Sequence, residues 1–129
     1  MRRPMRCGQR LAVQGREKQA IARAAIDLIE DGDTLILDAG STVAAFGRLL
    51  RERRLRIITN NLALLPFLAK APAIDLVGLG GTLRPTSMST MGPLAIEALR
   101  RMTADRAIMS ADGVFMAVAC AKPISIRSS

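Results

Sequence analysis

The chain contains no histidine, no tryptophan and no tyrosine, and it has only two cysteines and three phenylalanines. Without histidine the usual general base near neutral pH is missing, and neither a zinc site nor a disulfide framework is expected. The scarcity of aromatic rings argues against a surface that stacks RNA bases. No apolar run approaches the roughly 18 residues of a membrane span, and no apolar core follows the basic start as in a secretory signal. We therefore expect a cytoplasmic protein with no metal, no cofactor and no membrane partner.

Positive charge is concentrated at the start of the chain. Residues 1–16 carry five arginines and no acid, whereas the remaining 113 residues carry 14 basic and 11 acidic side chains. The net charge of +8 therefore comes largely from a basic leader and not from a basic globule. Such a leader is either a solvated tail or linker, or an arm that contacts nucleic-acid phosphates.

Apolar runs alternate with helical patterns over most of the chain, whose 129 residues fit one domain. The predicted strands are residues 34–37, 55–59, 74–79 and 106–110. The predicted helices are residues 17–30, 43–53 and 62–70, the last starting late because of Pro66, and a fourth opened by Gly92-Pro93. Residues 82–91 are predicted to be a loop rich in Ser, Thr and Pro. This alternation predicts an α/β fold, an open and mostly parallel sheet with helices on both faces.

The stretch Asp38-Ala-Gly-Ser-Thr42 directly follows the first predicted strand and precedes a helix. In open α/β sheets, ligands bind beyond the carboxyl ends of the strands. Gly40 allows a ligand to approach the backbone, and Asp38 can accept hydrogen bonds from sugar hydroxyls. Ser41 and Thr42 bring hydroxyls and N–H groups to the positive end of the helix. The alternative is an ordinary turn in which Ser41 or Thr42 is the N-cap.

The next two strand ends also carry small or polar residues. Asn60 and Asn61 offer donors and acceptors that suit hydroxyl recognition, although one of them can instead cap a helix. Gly80 and Gly81 allow close backbone approach, or they form a simple turn. Because parallel strands end at one edge of a sheet, we expect these ends to form a cleft of donors and acceptors.

Two charged residues complete this predicted cleft. Arg84 has a planar fork that fits phosphate oxygens, unless it is an ordinary surface arginine. Asp112 follows the fourth strand and either binds sugar hydroxyls or shapes a turn. The candidate ligand-binding residues are Asp38, Gly40, Ser41, Thr42, Asn60, Asn61, Gly80, Gly81, Arg84 and Asp112. No catalytic residue is predicted.

A set of short motifs keeps a characteristic order and spacing. They are Glu17-Lys-Gln-Ala-Ile-Ala22, Asp31-Gly-Asp-Thr34, Leu37-Asp-Ala-Gly-Ser-Thr42, Ile58-Thr-Asn-Asn61, Leu79-Gly-Gly-Thr-Leu-Arg-Pro85, Met91-Gly-Pro-Leu-Ala95 and Ala111-Asp-Gly-Val114. Over residues 17–114 the chain resembles the C-terminal effector domain of the DeoR family of bacterial transcriptional regulators, which is similar in fold to ribose-5-phosphate isomerases and CoA transferases. The resemblance implies a domain that senses a phosphorylated sugar or related metabolite. It also implies that most of the candidate residues line that site, and that operator binding is switched through a separate helix-turn-helix module.

The chain departs from the family pattern at both ends. No helix-turn-helix pattern precedes Glu17, and residues 115–129 do not resemble the expected continuation, whose Asp-Ser-Ser-Lys type segment is absent. We therefore expect a truncated form with a basic leader (1–16), an incomplete effector domain (17–114) and a non-matching tail (115–129). DNA contact is expected only through the absent module.

Missing late strands would expose a sheet edge, which predicts a homo-oligomer. Two alternatives stay open. One is a sugar-phosphate isomerase that uses Asp38, Glu97 or Asp112 as its base. The other is an oligomerisation fragment that binds no ligand.

Overall fold

The computed structural model describes residues 10–11, 23, 25–111 and 115–120. Its strands are β1 (Arg10–Leu11), β2 (Thr34–Leu37), β3 (Leu55–Thr59), β4 (Ile74–Gly78), β5 (Thr82–Arg84), β6 (Ser89–Met91), β7 (Arg106–Ala111) and β8 (Phe115–Cys120). The helices whose bounds are described are α1 (Ser41–Arg48), α2 (Leu65–Leu68) and α3 (Pro93–Arg100). Within these ranges no helix is long and apolar enough to cross a bilayer.

The main sheet has six strands in the order β1-β8-β7-β2-β3-β4. Its central strands β7, β2, β3 and β4 are parallel to one another, whereas β8 is antiparallel to β7 and β1 is antiparallel to β8. β5 and β6 form a separate antiparallel hairpin. This topology confirms the predicted α/β fold with a mostly parallel sheet.

Both faces of the central strands are covered. In β2, Leu35 and Leu37 are fully buried in one core cluster, which also contains Phe46 of α1. Ile36 points to the opposite face, where it packs against a second cluster that contains Ala95 of α3. Side chains alternate along a strand, so consecutive apolar residues in β2 supply two separate cores. Helices on both faces of the sheet are thus confirmed.

α1 is shorter than the helix predicted for residues 43–53. It ends at Arg48, and the N–H groups of Leu49 and Leu50 then donate to carbonyls three residues back, those of Phe46 and Gly47, both at 3.0 Å. Such bonds tighten the last turn of a helix. The tightened turn brings Leu50 into the core, where its side chain is fully buried.

The prediction of a loop over residues 82–91 is wrong. β5 and β6 pair with the register Thr82 to Met91 and Arg84 to Ser89, around a turn in which Met88 has a φ of 50°. All three residues of β5 are exposed, so this strand lacks the apolar alternation that marks a half-buried strand. The late start predicted for the third helix is confirmed, because α2 begins at Leu65 with Pro66 in its first turn.

The two ends of the predicted effector domain are only partly described. Of the helix predicted over residues 17–30, Arg23, Ala25 and Ile26 are helical, and residues 17–22 and 24 lie outside the described residues. β8 lies in the segment predicted as a non-matching tail and is hydrogen bonded to β7 along its length. The domain division at residue 114 stays a prediction, but the main sheet continues across it.

Candidate functional site

The carboxyl ends of the parallel strands lie side by side. The registers pair Leu37 with Thr59 and with Ile108, and Thr59 with Gly78. Asp38 and Asn60 therefore leave the sheet at the same edge, which we call the carboxyl edge. In open α/β sheets this is the edge where ligands bind.

Gly40 makes the transition from β2 to α1 possible. It is the N-cap residue of α1, has a φ of 113°, and makes no side-chain capping bond. A positive φ of this size is strained for any residue with a Cβ atom. The alternative in which Ser41 or Thr42 is the N-cap is therefore wrong, since both residues lie within the first turn of the helix.

Asn61 holds two loops of the carboxyl edge together. Its side chain is almost fully buried, and its Nδ2 donates to the backbone oxygens of Asp38 (3.1 Å) and Gly40 (3.2 Å). Its Oδ1 accepts from the N–H of Ala63 at 3.2 Å. Buried polar atoms need such partners, so these bonds fix the shape of the loop after β2. Thr59, which the sequence did not single out, adds a hydrogen bond from its Oγ1 to the oxygen of Leu37 at 2.6 Å.

The β5–β6 hairpin is anchored across the same edge. Asn60 Nδ2 donates to the oxygen of Thr90 at 2.9 Å, and the N–H of Thr90 donates back to the oxygen of Asn60 at 3.1 Å. Thr90 Oγ1 donates to the oxygen of Leu79 at 2.7 Å. These bonds make the hairpin a wall of the carboxyl edge.

One pocket, the α1 pocket, lies between α1 and the tip of the hairpin. It has a volume of about 390 Å³. Its lining residues are Gly40, Ser41, Ala44, Arg48, Asn61, Ala63, Thr86, Ser87 and Met88. Ser41, Ala44 and Arg48 lie three and four residues apart and so share one helix face. The described lining residues of this pocket supply hydroxyls and a guanidinium but no carboxylate.

A second pocket, the α3 pocket, lies on the opposite face of the sheet, between the strand ends and α3. It has a volume of about 260 Å³ and a largely apolar lining. Its lining residues are Ile36, Leu37, Asp38, Asn60, Leu79, Thr90, Met91, Gly92, Ala95, Ile96 and Leu99. Asp38 is the one charged residue among the described residues of this lining. The described linings of the two pockets therefore carry single charges of opposite sign.

The sequence of the described fold matches a known family of regulators. The family model described as the DeoR C terminal sensor domain matches residues 13–124. The chain belongs to this family. The match extends into the segment after residue 114, which contains β8. No solved structure matches the chain significantly.

Curated relatives of this sensor domain are bacterial regulators. The chain is 37% identical over 107 residues to the HTH-type transcriptional repressor CsqR of Escherichia coli K12, covering 82% of this chain and 41% of that protein. It is 34% identical over 99 residues to the transcriptional repressor AccR of Agrobacterium fabrum, covering 76% and 38%. It is 32% identical over 109 residues to the lactose phosphotransferase system repressor of Lactococcus lactis, covering 82% and 43%. The chain thus spans about two fifths of the length of these relatives.

The residues predicted for one cleft are divided in this sensor domain. Asp38 and Asn60 line the α3 pocket, whereas Gly40, Ser41 and Asn61 line the α1 pocket. Four other predicted residues line neither pocket: Thr42, which is buried, and the exposed Gly80, Gly81 and Arg84. Asp112 lies outside the described residues.

Several lining residues of the sensor domain were missed from the sequence. Thr86, Ser87 and Met88 reach the α1 pocket only because the hairpin folds back across the carboxyl edge. Arg48 was detectable, since it lies seven residues after Ser41 and helical spacing places the two on one face.

The charged groups of the two pockets have no partners among the residues that the structure describes. Neither the Asp38 carboxylate nor the Arg48 guanidinium forms a hydrogen bond or ion pair with another described residue. Among the described residues, no group of three or more Asp, Glu or Cys side chains is placed to hold a metal ion.

Proposed function

We propose that this sensor domain binds a phosphorylated sugar, or a closely related anionic metabolite, at the carboxyl edge, and that its occupancy controls DNA binding by a DeoR-type regulator. The observation that carries the proposal is a pair of pockets whose described lining residues carry one charge each, of opposite sign and without a partner among the described residues. A sugar phosphate has matching parts, namely an anionic group and a ring with hydroxyls and apolar faces.

The α1 pocket suits the phosphate group. It extends along α1 from Gly40 to Arg48, and at its Gly40 end the helix dipole favours an anion. None of its described lining residues carries a carboxylate that would repel one. The hydroxyls of Ser41, Thr86 and Ser87 can donate hydrogen bonds to phosphate oxygens. The α3 pocket suits the sugar, because Asp38 can accept bonds from hydroxyls beside an apolar wall.

The names of the relatives support the same class of function. CsqR and AccR are called transcriptional repressors, and the Lactococcus protein is named for a lactose phosphotransferase system. More than half of the length of those proteins lies outside the match. Control of DNA binding is therefore proposed for a protein that contains a DNA-binding module in addition to this domain.

The isomerase alternative receives less support from the geometry. The Glu97 carboxylate is half exposed, pairs with Arg100 of α3 and with Arg101 directly after it, and lines neither pocket. Asp38 remains as a base, but the described lining residues include no histidine or lysine to act as its acid partner. Turnover of ribose 5-phosphate or glucosamine 6-phosphate by the purified chain would favour the enzyme over the sensor.

A thermal-shift panel tests the sensor proposal. Ribose 5-phosphate, glucose 6-phosphate, galactose 6-phosphate, fructose 6-phosphate and glucosamine 6-phosphate are added to the chain together with their neutral parent sugars. A ligand present at about 100 times its Kd adds about 2.7 kcal/mol to the free energy of unfolding. We expect a clear rise in Tm with at least one phosphate, lost in Asp38→Ala and in Gly40→Val. Asp75→Ala, an exposed change on β4, is the matched control and should keep the shift. No shift with any phosphate would contradict the proposal.

We also propose that the domain self-associates. Among the described strands, β1 covers only two residues of the six-residue strand β8, and β4 is the last strand on the other side. Unpaired strand edges favour pairing with another chain. A monomer mass in light scattering at micromolar concentration would contradict this.

A further inference from the structure

We propose that Arg48, and not Arg84, binds the anionic group of the effector, and that Arg48 makes the sensor domain selective for phosphorylated over neutral sugars. The proposal rests on the proposed function, since it assigns one residue within the same site. It differs from the expectation from the sequence, in which Arg84 was the candidate phosphate ligand unless it was an ordinary surface arginine.

The position of Arg48 places it in the α1 pocket. It is the last residue of α1 and lies on the same face as Ser41 and Ala44. Ala44 has a small side chain that is almost fully buried, so no long side chain rises from the pocket floor between Ser41 and Arg48. An anionic group bound over Ala44 would lie between Ser41 and Arg48.

Most of the described arginines pair with a carboxylate. Arg53 pairs with Asp31 at 3.1 Å, Arg106 with Asp33 at 2.6 Å, and Arg101 with Glu97. Arg48 forms no ion pair with a described residue, and neither do Arg23, Arg54 and Arg84, but of these four Arg48 alone lines one of the two pockets. A guanidinium in a pocket without acids binds phosphate well, because its planar fork matches two phosphate oxygens.

Arg84, in contrast to Arg48, does not lie at either pocket. It lies in β5 opposite Ser89, is exposed, and lines neither the α1 pocket nor the α3 pocket. The residues of the hairpin that do reach the α1 pocket are those of its turn, Thr86 to Met88. Arg84 therefore serves as a matched control for removal of one exposed guanidinium.

A simpler role for Arg48 is to offset the dipole at the C-terminal end of α1, where cations stabilise a helix. This role and the proposed one make different predictions. Loss of a dipole contact lowers stability and affects all ligands equally, whereas loss of an anion ligand weakens phosphorylated ligands alone.

The experiment compares Arg48→Gln, Arg84→Gln and Arg48→Lys in the full chain by isothermal titration. The probes are the five sugar phosphates named above and their neutral parent sugars. We expect Arg48→Gln to weaken sugar-phosphate binding by about 10- to 100-fold, the range for a charged hydrogen bond, while binding of the neutral sugars changes by less than about twofold. Arg48→Lys should recover part of the loss, and Arg84→Gln should bind like the original chain.

Three results would overturn the assignment. The first is sugar-phosphate binding that survives Arg48→Gln. The second is a loss of the same size in Arg84→Gln. The third is an equal loss for phosphorylated and neutral sugars in Arg48→Gln. Each leaves the proposed function standing, because the original chain still binds the phosphate. If the original chain binds none of the probes, the proposed function fails and the assignment of Arg48 fails with it.

Discussion

The two ends of the parallel strands differ in whether their charged side chains have partners among the described residues. At the end where β2, β3, β4 and β7 begin, here called the amino edge, the carboxylate of Asp33 accepts from Arg106 at 2.6 Å and from the N–H of Glu30 at 2.9 Å. Asp105 accepts from the N–H of Thr34 at 2.8 Å. At the carboxyl edge, Asp38 and Arg48 have no such bonds to described residues. Charges at the amino edge stabilise the fold, whereas those at the carboxyl edge are the ones that we propose bind a ligand.

The largest effect that tests this comparison is expected from Asp33→Ala. The Arg106–Asp33 pair is only 17% and 14% exposed, and the Nε of Arg106 is buried with no partner among the described residues. Removing Asp33 leaves a nearly buried guanidinium uncompensated, which should lower the free energy of unfolding by about 2–4 kcal/mol. Urea denaturation measures the change.

Asp75→Ala is the control for that experiment. Asp75 pairs with Arg56 at 3.3 Å, but both side chains are more than half exposed. Exposed pairs contribute about 1 kcal/mol or less, so this variant should lose far less stability. If the two variants lose the same amount, burial does not distinguish the charges of the amino edge.

The next effect is expected from Gly81→Ala, which compares two neighbouring glycines of the carboxyl edge. Gly81 has a φ of 145°, and a Cβ atom there would lie 2.6 Å from the backbone oxygen of Met91. The strain should cost about 1–3 kcal/mol and loosen the hairpin. Gly80 has open space around it, so Gly80→Ala should be tolerated. Equal midpoints of thermal unfolding for the two variants would show that the hairpin does not constrain Gly81.

A smaller effect is expected from the pH dependence of stability. The hydrogen bond from Arg53 lowers the pKa of Asp31 below its ordinary value of 3.8. The carboxylate therefore contributes stability that is present above about pH 4 and is lost as the pH falls through the lowered pKa. Because Asp31 is exposed, the contribution is small. Urea midpoints between pH 5 and pH 2.5 should fall slightly less steeply in Asp31→Asn, and identical slopes would show that the pair contributes nothing.

The smallest effect on stability is expected from Asp38→Asn, the counterpart of Asp33→Ala at the opposite edge. The Asp38 side chain bonds no described residue, so the free energy of unfolding should change by no more than about 0.5 kcal/mol. Ligand binding should weaken all the same. A loss of stability comparable to that of Asp33→Ala would show that charges at the carboxyl edge stabilise the fold as much as those at the amino edge, which contradicts the comparison.

The sequence was sufficient for the main elements and insufficient for the arrangement of the site. The consecutive apolar residues of β2 and Pro93 at the start of α3 are local signals, and the structure bears them out. The hairpin escaped prediction because β5 is exposed throughout and carries no periodic pattern.

The division into two pockets has a physical reason that composition does not reveal. Asp38 and Ser41 are close in sequence, but the chain turns into α1 between them at Gly40. The two residues therefore line pockets on opposite faces of the sheet. Because the two residues are close in sequence, they were expected to line one cleft. The turn at Gly40 instead places them at pockets on opposite faces of the sheet.

The β5–β6 hairpin has a further consequence, because it borders both pockets at once. Its turn lines the α1 pocket, while Thr90 and Met91 of β6 line the α3 pocket. A molecule that shifts this shared wall from one side must reshape the other side as well. If the two cavities hold the two parts of one ligand, thermodynamic linkage requires the influence to run equally in both directions, so that the anionic group and the sugar help or hinder each other's binding by the same factor.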